Sequence, residues 1–190
     1  MKQLKLALRQ IKYENTAFWR NPPAAFFTFI FPLIFLVLFN AIFGDDEIPI
    51  ESGVVSGSNF YIPSILALSV ISASYTNLAM TLTDSRDSGI LKKIRGTPLS
   101  PWAFMVGKIL FTTFVSLLLV AIVLICGVLF YNVSLPNDSL IVFITALLIG
   151  TITFSCLGIA ITTVIRNADA APAIVNASIL PLFFISDIFI

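Results

Sequence analysis

The sequence predicts an all-α membrane protein, with an N-terminal interfacial amphipathic helix followed by five transmembrane helices. Three observations carry that reading. The mean hydropathy is +1.00, and 58% of residues are hydrophobic against 11% charged, far from the roughly 45–50% apolar and ~25% charged of a soluble domain. The apolar residues gather into runs near the roughly 20 residues a helix needs to cross a hydrocarbon core of about 30 Å. The third is charge: all eleven Lys and Arg residues fall in alternate segments between those runs. Lys2, Lys5, Arg9, Lys12 and Arg20 precede the first run. Arg86, Lys92, Lys93, Arg95 and Lys108 lie between the second and third, and Arg166 between the fourth and fifth. Segments 44–58 and 131–138 hold acids but no Lys or Arg. Basic residues accumulate in cytoplasmic loops, so the N-terminus and the 83–108 region are expected in the cytoplasm of a multi-pass protein.

Residues 2–20 form the first element. On a helical wheel Lys2, Lys5, Arg9 and Lys12 share one face, and Leu4, Ala7, Leu8 and Ile11 the other. That is the pattern of a helix lying in the membrane interface, with Trp19 and Arg20 suited to the headgroup level. Asn21-Pro22-Pro23 then breaks the chain, and proline is best tolerated at a helix start. The five spans are expected at about 24–43, 59–82, 102–130, 139–164 and 172–190, all within a single domain, 1–190. Helices are required because lipid offers no partner to unpaired backbone groups. The third run is long, which places its first turns, around Lys108, at the interface. Pro32, Pro63 and Pro181 can kink their spans, and Gly150 and Gly158 allow close helix approach. The chain stops inside an apolar run, so a sixth span is expected to be missing. The N-terminal segment is not a cleavable signal peptide, since its apolar run begins late and is too long.

Residues 84–98 carry the most specific pattern. They read as a short amphipathic helix on the basic side, in which Ile90, Leu91 and Ile94 form an apolar patch ringed by Arg86, Lys92, Lys93 and Arg95. Gly96-Thr97-Pro98 ends it. An apolar knob with a basic rim suits docking to a partner protein. A second candidate site lies within the membrane. Ser69, Ser72, Thr76 and Thr83 share a face of the second span, with Asn77 and Thr81 beside it. Such groups act first as helix-to-helix contacts and second as the lining of a pathway, for which Ser72, Thr76, Asn77, Asn176 and Asp187 are the candidates. Asp187 stands out as an ionisable group in apolar surroundings.

The loop and its position resemble the membrane subunits of ABC-2 type exporters, a family of bacterial drug-resistance and polysaccharide-export permeases. The matching residues are Arg86, Asp87, Gly89, Leu91, Lys92, Lys93, Ile94, Arg95, Thr97, Pro98 and Leu99. The basic N-terminal helix and Arg20-Asn21-Pro22 also look like that family. The chain departs from it in having five spans where six are usual, and in Asp187 where the family pattern after the fifth span has glycine. The resemblance implies a permease dimer, from two copies or two related chains, in a bacterial cell membrane. It also implies a separate ATP-binding subunit coupled through Arg86–Pro98. The chain has no phosphate-binding G-x-x-x-x-G-K-[ST] loop, so ATP hydrolysis would belong to that partner.

Other classes fare worse. A stand-alone secondary transporter or channel lacks a mid-bilayer coupling carboxylate and an internal repeat. A membrane enzyme has no His and no catalytic constellation to draw on, and no catalytic residue, cofactor or metal is expected. A non-transporting assembly subunit stays open. Nucleic acid is excluded, because the basic residues do not interleave with exposed aromatics on a polar domain. Cys126 and Cys156, both inside apolar runs, read as small hydrophobic residues.

Overall fold

The computed structural model describes residues 2–44, 47–50, 53–131, 133 and 139–185; the side chains of residues 2–5, and Asp187 altogether, lie outside the described residues. Helix α1 (Lys2–Trp19) is followed by α2 (Pro22–Phe43), which starts on the predicted proline. Strands β1 (Glu47–Ile50) and β2 (Gly53–Ser56) pair antiparallel, with Ile48 opposite Val55. This hairpin stands where only an acidic loop was expected. Its β-branched residues suit a strand. The second span begins as α3 (Gly57–Ile71), passes through a π-helical turn at Ser72–Thr76, and continues as α4 (Asn77–Asp87). Then come α5 (Ile90–Arg95), α6 (Pro101–Tyr131), α7 (Leu140–Ile161) and α8 (Ala171–Ile185).

Four helical segments are long and apolar enough to cross a membrane: Ala25–Phe43, Gly57–Asp87, Pro101–Tyr131 and Leu140–Ile161. The fifth expected span, 172–190, is seen as a helix only to Ile185, and this described part is shorter than the other four. Outward faces of the spanning helices are mostly apolar: Phe27, Ile42, Phe130, Ile141 and Val142 are all well exposed. Water would penalise that surface, and lipid accommodates it.

Two packed cores hold the helices together. Leu36 of α2, Ile62, Ile65 and Leu66 of α3, and Leu119 and Val123 of α6 form the first. Ile71, Tyr75 and Ala79 of the second span join Ile165 and Val175 in the second. Close approach at the π turn depends on Gly158 of α7. A Cβ there would lie 2.8 Å from the Tyr75 carbonyl oxygen and 3.2 Å from its Cα. Gly150 has open space around its Cα and plays no such part.

The expected hydroxyl glue between helices is mostly absent among the described residues. Ser69 donates to the Ile65 carbonyl at 2.6 Å, Ser74 to Val70 at 2.5 Å, and Thr83 to Ala79 at 2.8 Å, each one turn back on its own helix. A buried hydroxyl finds its own carbonyl more readily than one on a neighbour. What these residues supply between helices is small size. The exception is Tyr75, whose hydroxyl pairs with that of Ser178 at 2.5 Å and ties the π turn to α8.

Candidate functional site

The three segments that carry all the Lys and Arg residues meet at one end of the bundle, and side-chain bonds join them. Lys108 of α6 donates to Glu14 of α1 at 3.0 Å, while Gln10 donates to the other Glu14 oxygen at 2.8 Å. The Lys108 side chain is 5% exposed and that of Glu14 17%. Lys108 therefore sits in packed surroundings, within the first turns of α6 that the sequence places at the interface. Helix α6 has 31 residues, some 46 Å at about 1.5 Å per residue. It outruns the hydrocarbon core, and α1 covers its first turns.

Helix α1 packs along α6 through a stripe of Ala7, Gln10, Ile11, Glu14 and Phe18. A Cβ on Gly107 would lie 2.6 Å from the Gln10 Cβ. Leu8, assigned to the apolar face from the wheel, is 56% exposed instead, because the stripe is set by α6 rather than by hydrophobicity alone. Arg9, Lys12, Trp19 and Arg20 are exposed, as an interfacial role requires. Trp19 stacks on Phe29, and Phe18 meets Phe111 edge to face.

The basic loop divides in two. The second span runs on to Asp87, so Arg86 and Asp87 end a long helix and do not belong to a short helix from residue 84. Ser88 and Gly89 make the turn, and Gly89 takes φ 76°, a left-handed conformation in which glycine carries no Cβ penalty. Arg86 donates to the Thr162 carbonyl at 2.9 Å and the Ile165 carbonyl at 2.6 Å. Thr162 caps the C-terminus of α7, so a cation on its carbonyl also suits the helix dipole, and Ile165 lies in the connection that follows. Asp87 pairs with Arg86 at 3.3 Å and accepts from the Ala168 N–H at 2.5 Å. These two residues clamp the connection between α7 and α8.

Beyond Gly89, helix α5 turns its charges outward. Lys92, Lys93 and Arg95 are exposed, and none makes an ion pair among the described residues. The apolar patch splits. Ile90 is 43% exposed, whereas Leu91 and Ile94 are half-buried and share a groove with Phe104 and Met105 of α6. Thr97 donates to the Ile94 carbonyl at 2.7 Å, closing the helix before Pro98.

Of the candidate pathway residues, three share one cavity, and Asp187 lies outside the described residues. Ser72, Thr76 and Asn77 line a cavity of about 260 Å³ against Phe31 and Pro32 of α2. Asn77 also lines a second cavity, of about 240 Å³, between α1, α4 and α6. Asn176 is exposed on α8. Residues that sequence reasoning missed are Glu14, an acid in phase with the α1 stripe, and Asp84, one turn before the clamp. The signal for Glu14 was its spacing from Ala7, Ile11 and Phe18.

Comparison with known proteins agrees with this architecture. Residues 6–190 match the ABC-2 type transporter family. The transport permease ycf38 of Porphyra purpurea is 24% identical over 169 residues, which are 88% of this chain and 58% of that protein. The chain thus spans little more than half the length of that relative. No solved structure shows a significant match.

Proposed function

Because the chain belongs to the ABC-2 type transporter family, whose members are multi-pass transport permeases, we propose that it is the membrane subunit of an ATP-driven exporter, working as a dimer with a separate ATP-binding subunit. The observation that carries the coupling part is helix α5. It projects three exposed basic side chains, and Leu91 and Ile94 on its apolar side line a groove with Phe104 and Met105 of α6. A partner that moved α5 would open or close the groove it shares with α6. It would also push through Gly89 on the second span, whose end is clamped to the α7–α8 connection. Lys92, Lys93 and Arg95 are the partner contacts in this reading, and Arg86 and Asp87 the anchor that keeps the end of the second span stiff. The basic end faces the cytoplasm, and α1 lies at that interface in a cell membrane.

The test is capture of the ATP-binding subunit from native membranes in mild detergent. Wild-type chain should retain an ATPase. A Lys92→Glu, Lys93→Glu, Arg95→Glu variant should lose it by at least about tenfold, since opposing charges must then meet at the interface, while inserting normally. Leu91→Asp is expected to lose the partner too, but it also strikes the α6 groove, so the charge reversal is the cleaner variant. Undiminished capture by the triple variant would remove α5 as the docking element.

A further inference from the structure

Helix α1 has two unlike sides. Its inner stripe is closed and its charge is answered: Glu14 is bound to Lys108 of α6 and to Gln10. Glu14 is also the only acid in residues 1–44. The outer side is open and basic. Arg9, Lys12 and Arg20 are exposed, and none makes an ion pair among the described residues. The Arg20 N–H still donates to the Thr16 carbonyl at 3.1 Å, so Arg20 continues the last turn. At about 3.6 residues per turn, Leu8 and Trp19 fall on one edge of this outer side, Lys12 beside them, and Arg9 and Arg20 on the other edge. Leu8 and Trp19 are each 56% exposed. The Trp19 ring stacks on Phe29 of α2, with planes 10° apart, which fixes the apolar edge against a membrane span and turns the basic edge away from it.

We propose that the outer side of α1 is a docking surface for anionic phospholipids, with Arg9, Lys12 and Arg20 on the headgroups and Leu8 and Trp19 against the acyl chains. Charge complementarity selects the occupant. With Glu14 spent on Lys108, α1 has no acid left to balance these cations. A zwitterionic headgroup offsets its own phosphate with an ammonium, so an anionic lipid gains more from the same surface. Each Lys or Arg close to an anionic membrane surface contributes about fivefold in affinity. The apolar edge beside Phe29 favours a lipid over a water-soluble acidic partner, because a lipid covers both edges at once. The proposal rests on α1 lying at the membrane interface, and it holds with or without an ATP-binding subunit.

The chain has two tryptophans, Trp19 and Trp102, so a Trp102→Phe protein reports on α1 through Trp19 alone. Its fluorescence is read in the full-length protein in phosphatidylcholine nanodiscs. Brominated phosphatidylglycerol or brominated phosphatidylcholine is the minor lipid, at equal fraction. Phosphatidylglycerol should quench several-fold more and saturate at low fraction, and high salt should reduce the excess. Arg9→Gln, Lys12→Gln, Arg20→Gln should lower its relative association constant by about tenfold or more. Arg9→Lys, Lys12→Arg, Arg20→Lys should hold it within a few-fold. Both variants should keep the wild-type thermal midpoint in neutral detergent, since these side chains have no ion pair to lose. Equal quenching by the two lipids would leave α1 at the interface and overturn the proposal. No quenching by either would remove the interfacial placement as well. An excess that survives the glutamine variant would also overturn it, and loss of ATPase capture by that variant would then make this side of α1 a protein contact.

Discussion

Two halves of one basic loop use the same residue types for opposite ends. Before Gly89, Arg86 and Asp87 turn back onto the α7–α8 connection and are consumed by internal bonds. After Gly89, Lys92, Lys93 and Arg95 extend outward with no ion pair among the described residues. A single left-handed glycine separates them. Charge in such a loop therefore divides by pairing: satisfied charges hold the fold, and unsatisfied ones remain for a partner. Lys108 is the extreme of the first kind, since its charge is buried and answered by Glu14.

If that division is right, substitutions should sort by pairing and not by charge. Lys108→Ala should have the largest effect on stability, about 3 kcal/mol, because it leaves the Glu14 carboxylate buried without its partner. A Glu14→Gln, Lys108→Met double variant should recover part of the loss, as read by thermal unfolding in detergent. Arg86→Ala comes next, at about 2 kcal/mol, through two charge-assisted bonds to the Thr162 and Ile165 carbonyls made by a partly exposed side chain. Hydrogen exchange should show the rise in opening concentrated at 162–170. Gly158→Ala tests the neighbouring contact at the π turn. Its new methyl meets backbone, which cannot swing aside, so a loss of about 1–3 kcal/mol is expected. Gly150→Ala, in open space, should be close to neutral. At the bottom of the scale, Lys93→Glu should change stability by no more than about 0.5 kcal/mol and yet weaken capture of an ATP-binding subunit.

Much of the fold was legible in the sequence because lipid imposes a simple rule. Long apolar runs must be helices, and Ala25–Phe43, Pro101–Tyr131 and Leu140–Ile161 lie close to where hydropathy put them. The break at Asn21-Pro22 was equally plain. Long-range pairing was not. Nothing local marks Arg86 as the partner of carbonyls 76 and 79 residues away, and an Arg beside Lys92 and Lys93 reads as one more member of a basic cluster. The partner of Lys108 was hidden for a related reason: a Lys near the start of a long apolar helix looks solvated until another helix, with an acid in the right phase, is laid over it. The π turn at Ser72–Thr76 has no hydropathy signature at all, because inserting one residue shifts phase without changing composition. The hydroxyl stripe along the second span was visible, but its bonds were not, since a serine can serve its own helix or the next one.

The most direct measurement sets Arg86→Ala beside Lys92→Glu, Lys93→Glu, Arg95→Glu, both in the full-length protein, and reads thermal midpoint and ATPase capture on each. The account predicts that Arg86→Ala lowers the midpoint while the partner is still captured in the cold, and that the triple variant keeps the midpoint and loses the partner. The reverse pattern, with a stable Arg86→Ala protein that cannot hold the ATPase and a triple variant that can, would contradict the division between anchoring and docking charges.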